Sequence, residues 1–213
     1  MEEQRPLYVK RIILAFIIST IIFLFGFFVC YSITYVKYQS ISVSQEQIRF
    51  SLMELDLQAK LMASSCNLLD SYALSSELDQ MGSIMGIIEA RLGKNNPSVL
   101  EQKKTYNLLE VQHFLLIDEH NLKCNNTIPT VLFFYSNNEQ DKDQSEKIGF
   151  ILTSLKKENP HVMIYSFDYN LDYSLVNMLK TKYNITSPNT VLLNEKIKII
   201  NLNNIDEVQK KIK

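Results

Sequence analysis

The chain has 213 residues, a formal net charge of −1 and 46% hydrophobic residues. Acidic and basic side chains are nearly balanced, so the sequence lacks the basic surplus of nucleic-acid-binding proteins and no nucleic acid is expected as a partner. A chain of this length is expected to form one or two domains.

The N-terminal region predicts a membrane anchor. Residues 12–36 contain no charged side chain, and about 25 such residues span a bilayer with some tilt. Basic residues are concentrated in residues 1–11, whereas Lys37 is the only one close behind the apolar stretch. The positive-inside rule therefore predicts a cytoplasmic tail, one transmembrane helix in the cell membrane and an extracytoplasmic C-terminal domain. A cleaved signal peptide is the alternative, but its apolar core usually has only about 7–15 residues.

Residues 42–124 predict an antiparallel helical hairpin. Apolar side chains recur at three- and four-residue steps, and Gly93 with Pro97 marks the turn between the two helices. The second helix has a predicted apolar face made of Leu100, Tyr106, Leu108, Leu109, Val111 and Leu115. The simplest role of the hairpin is a spacer or packing collar. A coiled coil that joins two copies into a homodimer is the alternative.

Cys66 and Cys124 are candidates for a disulfide. Each lies about 29 residues from the centre of the hairpin turn, so an equal helical rise brings the two level. In an oxidising compartment their bridge would close a loop of about 57 residues and stabilise the fold by about 4 kcal/mol. Two separate buried thiols are the alternative.

Histidines near Cys124 invite a metal-site interpretation that the residue pattern does not support. His113 and His120 precede Cys124, but no second cysteine pair or carboxylate–histidine set completes a tetrahedral shell. We therefore predict no metal and no other cofactor, and we interpret both histidines as surface residues.

Residues 127–213 predict an α/β domain with a mixed sheet. Apolar runs rich in β-formers begin at Thr130 (TVLFFYS) and Val162 (VMIYSFD), with an amphipathic helix between them. After a second helix, Asn194 separates two short strands as in a hairpin, and Asn204 begins a capping-box-like start of the last helix. Right-handed crossovers would place the first two strands side by side.

This order of elements resembles the thioredoxin superfamily over about 85 residues, as a β–α–β half followed by a β–β–α half. The segment TVLFFYSNN from Thr130 looks like the family's strand leading into the active-site loop. The segment YNITSPNTVLLN from Tyr183 looks like the family's aliphatic turn, Pro-Thr and apolar strand. The resemblance implies a thioredoxin-like domain whose redox site would lie where the first strand meets the first helix.

The residues that carry the family's chemistry are replaced. Counting back from the helix puts the two cysteines of the family's Cys-x-x-Cys at Lys142 and Ser145. Counting forward from the strand puts them at Glu139 and Lys142 instead. The family's cis proline falls at Asn189, with Pro188 one residue earlier, and a cis bond before Asn189 would cost about 3–4 kcal/mol, so we expect it to be trans. These five positions form a degenerate redox site.

A domain without the dithiol is predicted to bind rather than catalyse. No nucleophile, base and orienting group stand at a readable spacing, so no catalytic residue is assigned, and Asp141, Asp168 and Asp172 are interpreted as ordinary loop acids. The predicted function is a redox-inactive, membrane-anchored protein that binds a protein partner or acts as a scaffold at the extracytoplasmic face. The alternative is an auxiliary or thiol-dependent component of an extracytoplasmic thiol–disulfide oxidoreductase system, using Cys66 or Cys124.

Overall fold

The computed structural model describes residues 9–32, 53–54, 57, 66, 68–124 and 128–212. The chain divides into two units, Met1–Ser51 and Leu52–Lys213. Parts of the predicted segments lie outside the described residues: most of the tail (1–8), the end of the span (33–36), most of the start of the hairpin (42–52, 55–56, 58–65 and 67), and residues 127 and 213 of the C-terminal domain.

The first unit contains helix α1, Val9–Ser32, which is long and apolar enough to cross a membrane. Its 24 residues correspond to roughly 36 Å of helix, against about 30 Å for the bilayer core. The hydroxyls of Thr20 and Ser32 donate to the carbonyls of Phe16 and Phe28 one turn earlier. These polar side chains are therefore satisfied within the helix, as an apolar environment requires. Length and composition fit a membrane anchor.

The second unit begins with the helical hairpin. Helix α2, Leu68–Leu92, and helix α3, Pro97–Cys124, are joined by a tight turn. Gly93 has a φ of +89°, and its N–H donates to the carbonyl of Glu89, so a glycine suits this helix end. Helix α2 runs through Gly82 without a break, and a Cβ at Gly82 would lie 2.8 Å from the hydroxyl of Tyr106. That glycine allows the two helices to approach closely.

The disulfide predicted from the sequence is present in the structure. It joins Cys66, ahead of α2, to Cys124, the last residue of α3, with Cα atoms 5.5 Å apart. This separation lies within the range of unstrained disulfides. Because Gly93 closes the opposite end, both ends of the hairpin are held by the chain itself.

A four-stranded mixed sheet follows, made of β1 (Thr130–Tyr135), β2 (Met163–Asp168), β3 (Thr190–Leu193) and β4 (Ile197–Ile200). Its order is β2-β1-β3-β4. Strands β1 and β2 are parallel neighbours, as the sequence predicts, and β3 is antiparallel to both β1 and β4. The other helices are α4 (Lys142–Glu158), α5 (Ser174–Lys182) and α6 (Asp206–Ile212).

Helices cover both faces of the sheet. Strand β1 alternates between them: Leu132 and Phe134 join a core with α3 and α5, whereas Val131 and Phe133 join a core with α4 and α6. Every residue of β1 except Tyr135 is buried, which explains the continuous apolar run in the sequence. The second unit is therefore a three-layer α/β structure in which α3 belongs both to the hairpin and to the sheet.

Two expectations for α3 are wrong. Leu108 and Leu115, assigned to the apolar face, are 37% and 50% exposed. His113 and His120, interpreted as surface residues, are 1% and 4% exposed. The physical reason is that α3 packs against α2 on one side and the sheet on the other, so a single apolar stripe does not describe its contacts. Dimerisation through the hairpin stays a prediction.

The disulfide generates the first testable prediction. Replacing Cys66 and Cys124 by serine should lower the free energy of unfolding by about 2–5 kcal/mol, because the unfolded chain regains loop entropy. Chemical denaturation of the full chain in detergent measures this loss, and Cys30→Ala, in α1 outside the bridge, is the matched control. Peptide mapping without reduction should recover the linked peptides from native membranes. Two reduced thiols there would contradict both the bridge and the extracytoplasmic assignment.

Candidate functional site

The candidate site lies at one edge of the sheet, where β1 and β2 end. Because these strands are parallel, their last residues, Tyr135 and Asp168, are neighbours. Strand β3 is antiparallel to β1, so its first residue, Thr190, also lies at this edge, opposite Phe134. The start of α4 completes the group. We call the set Ser136, Asn137, Asp141, Ser145, Asp168, Asn170 and Asn189 the polar edge.

Two of the predicted redox-site positions are in direct contact within the polar edge. The hydroxyl of Ser145 donates to the side-chain oxygen of Asn189 and accepts from the N–H of Ser136 at 2.9 Å. The amide of Asn189 donates to the carbonyl of Asp141 at 3.2 Å. Both side chains are buried. Asn189 has a φ of +58°, a left-handed conformation that asparagine adopts more readily than most residues.

The other three predicted positions do not join this contact. Glu139 and Lys142 form an exposed ion pair with each other, and this hydrogen bond raises the pKa of Lys142. Pro188 is half-buried beside Asn189. The described part of the chain contains no cis peptide bond, so the prediction of a trans bond before Asn189 is confirmed.

Ser136 connects the loops of the polar edge. Its hydroxyl donates to a carboxylate oxygen of Asp141 at 3.1 Å and accepts from the amide of Asn170 at 2.7 Å. It also accepts from the N–H of Asn138 at 3.2 Å. Ser136 was not among the site residues predicted from the sequence. The signal was available in the polar run that directly follows a buried strand.

Asp168 links the polar edge to the hairpin, so its interpretation as an ordinary loop acid is wrong. It is buried at the end of β2, and one carboxylate oxygen accepts from Asn137 at 2.9 Å and from Lys103 at 3.1 Å. Lys103 also pairs with Glu89 of α2 at 2.8 Å. A lysine that is 3% exposed needs such partners, because an unpaired buried charge is costly.

Further buried polar groups hold α3 against β2. A carboxylate oxygen of Glu110 accepts from the N–H of Ser166 at 2.8 Å, and burial raises the pKa of Glu110 well above its usual range. His113 Nδ1 and the hydroxyl of Tyr165 share a hydrogen bond of 2.9 Å. Burial, followed by the charge of Lys156, lowers the pKa of His113 to about 4, so the ring is neutral at pH 7.

The hydrogen-bond partners of Ser145 do not activate its hydroxyl as a nucleophile. Both hydrogen bonds of the Ser145 side chain go to an amide oxygen and a backbone N–H, and neither group is a base that could activate the hydroxyl. Within the described residues, no group of three or more histidine, cysteine or acidic side chains is placed to hold a metal ion.

Comparisons with known proteins do not assign this chain to a family. No protein-family model matches the sequence, and no match was found among curated proteins or among solved structures. The polar edge is therefore characterised by its own hydrogen bonds, of which the contact between Ser145 and Asn189 joins α4 to the start of β3.

Replacing Ser145 by alanine should lower the free energy of unfolding by about 1–3 kcal/mol, because the Ser136 N–H and the Asn189 oxygen lose a buried partner. Ser154→Ala on the same helix is the matched control, since that hydroxyl bonds to the Phe150 carbonyl on an exposed face. The control should change stability by no more than about 0.5 kcal/mol. Urea denaturation of both variants makes the comparison, and equal losses would contradict a structural role of the Ser145 contacts.

Proposed function

We propose that the chain is a single-pass membrane protein whose extracytoplasmic domain is thioredoxin-like, has no redox activity and binds a protein partner. The observation that carries the proposal is the contact between Ser145 and Asn189. In the helix-counted register of the family resemblance, Ser145 takes the position of the second cysteine and Asn189 that of the cis proline, which faces the dithiol in redox-active members. The β–α–β then β–β–α order of the domain also supports it.

The missing dithiol supports the absence of redox activity. Thiol–disulfide exchange needs two thiolates at one site, and no cysteine follows Cys124. The side chain of Asn121 hydrogen-bonds the N–H and carbonyl of Ile128, so the end of α3 lies beside the start of β1. A six-residue strand spans about 20 Å. The disulfide is therefore at the opposite end of β1 from the polar edge.

The exposed surface beside the polar edge, formed by Asn138, Glu139 and Lys142, supports a binding role. Ser145 and Asn189 are buried and hydrogen-bond each other and the backbone, so they form the base of the surface. Around them, Asn138 and Glu139 are exposed, and the ion pair from Lys142 to Glu139 presents both charges to solvent. We propose that this surface contacts the protein partner, as the corresponding surface contacts substrates in redox-active members.

Enzyme assays test the redox part of the proposal. The full chain in detergent should reduce insulin disulfides no faster than a variant without Cys30, Cys66 and Cys124. Turnover above that variant would contradict the proposal and favour the thiol-dependent alternative.

The same assay distinguishes the two positions predicted for the family's cysteine pair. The double variant Lys142→Cys/Ser145→Cys should gain reductase activity, because thiolates in the first turn of α4 are stabilised by the helix N-terminus. Its matched control, Glu139→Cys/Lys142→Cys, places one thiol in the loop before the helix and should gain less. Higher activity in the control would show that the strand-counted register is the correct one.

Photo-crosslinking in native membranes tests the binding part. A photoreactive residue in place of Glu139 should give a discrete protein adduct, whereas the same residue in place of Glu158, exposed at the other end of α4, should not. Lys142→Glu should reduce the adduct at 139, because it reverses a charge of the binding surface. Equal adducts at both positions, or none at 139, would contradict binding at the polar edge.

A further inference from the structure

A second feature of this unit lies away from the polar edge. A cleft of about 620 Å³ opens between the hairpin and α4, above the β1–β2 half of the sheet. Phe133, Leu152 and Ile164 form an apolar floor, and acidic side chains of the hairpin (Asp79, Glu89 and Glu110) also line the cleft. Small-molecule sites in proteins typically have about 300–1,000 Å³ and a mainly apolar lining with few polar groups. The cleft therefore has the size and floor of a ligand site.

Two glycines line the cleft. Gly86 lies within α2 and Gly149 within α4, and both line the cleft. A Cβ at either position would meet no heavy atom within 4 Å, unlike at Gly82, where Tyr106 requires the glycine. Glycine inside a helix is destabilising relative to alanine, and no close packing explains these two. A larger side chain at either position would extend into open space at the cleft.

The lysines around the cleft differ in how closely acidic side chains compensate their positive charge. Lys103 is held by Glu89 at 2.8 Å and by Asp168 at 3.1 Å, so its charge is compensated. Lys156, on the α4 side, is 3.9 Å from Asp79 across the cleft and donates to a backbone carbonyl at 2.8 Å. Lys157 lies beside it on the same rim. Positive charge that an incoming anion could pair with is thus concentrated at the α4 rim.

We propose that this cleft binds a single-chain amphiphile with a carboxylate head, of the medium-chain fatty acid class. The carboxylate of the ligand pairs with Lys156 and Lys157. It replaces the carboxylate of Asp79, which lies 3.9 Å from Lys156. The chain lies over Phe133, Leu152 and Ile164 and passes between the two glycines. This site is separate from the polar edge and does not depend on the proposed function.

The test uses the full chain in nanodiscs of neutral phospholipid and a dodecanoate probe that carries a diazirine at the end of its chain. Photolabelling followed by peptide mapping should place the label on α2 or α4 peptides that line the cleft. Unlabelled dodecanoate should compete, and dodecanol, which lacks the charge, should compete at least about tenfold more weakly, as expected for a lost charge-assisted contact. Label confined to α1, or equal competition by the alcohol, would overturn the proposal.

Variants separate the cleft from nonspecific partitioning into the lipid. Gly149→Leu fills the cleft and should lower cleft labelling at least about tenfold, whereas Ser154→Leu adds the same side chain to an exposed position of α4 and should not. Lys156→Met/Lys157→Met should abolish the preference for dodecanoate over dodecanol, with Lys147→Met as the matched control. A thermal unfolding measurement checks that each variant is folded. Unchanged labelling in folded Gly149→Leu would overturn the proposal.

Discussion

The buried charge of Lys103 connects the parts of the second unit. Its ammonium group contacts Glu89 of α2 and Asp168 of β2, so one side chain of α3 joins the hairpin to the sheet. Asp168 also accepts from Asn137, which extends the connection to the polar edge. Removing one partner of a buried ion pair costs about 3–5 kcal/mol, because the other charge stays buried without compensation. Hairpin, sheet and polar edge are therefore energetically coupled.

The polar face of α3 also provides hydrogen-bond partners for the edge strand of the sheet. Strand β2 is at the edge of the β2-β1-β3-β4 order, and an edge strand presents unpaired backbone groups to other chains. Glu110 accepts from the N–H of Ser166 in this strand, and His113 hydrogen-bonds Tyr165 beside it. The raised pKa of Glu110 and the lowered pKa of His113 follow from this burial. Both groups act as structural partners of the edge strand.

Local signals in the sequence predict much of this fold. The turn at Gly93, the continuous apolar strand beginning at Thr130 and the equal spacing of Cys66 and Cys124 all reflect neighbouring residues or simple helix geometry. The burial of His113 and Asp168 could not be predicted in this way, because their partners are 52 and 65 residues distant along the chain. From the sequence alone, a polar residue without a nearby partner along the chain is predicted to be exposed. That prediction fails where one helix packs against two layers.

The cleft depends on the same long-range contacts. The apolar floor of the cleft lacks packing partners, so two freely moving layers would close over it. Here α2 is kept from moving closer to α4, because both ends of the hairpin are restrained. The disulfide holds one end, and the turn at Gly93 and the ion pair of Lys94 with Glu146 hold the other. The exposed pair contributes little energy, so the disulfide and the Lys103 contacts carry most of the constraint. Contacts at the ends of the hairpin and in the wall of the cleft thus hold apart the helices that carry Gly86 and Gly149.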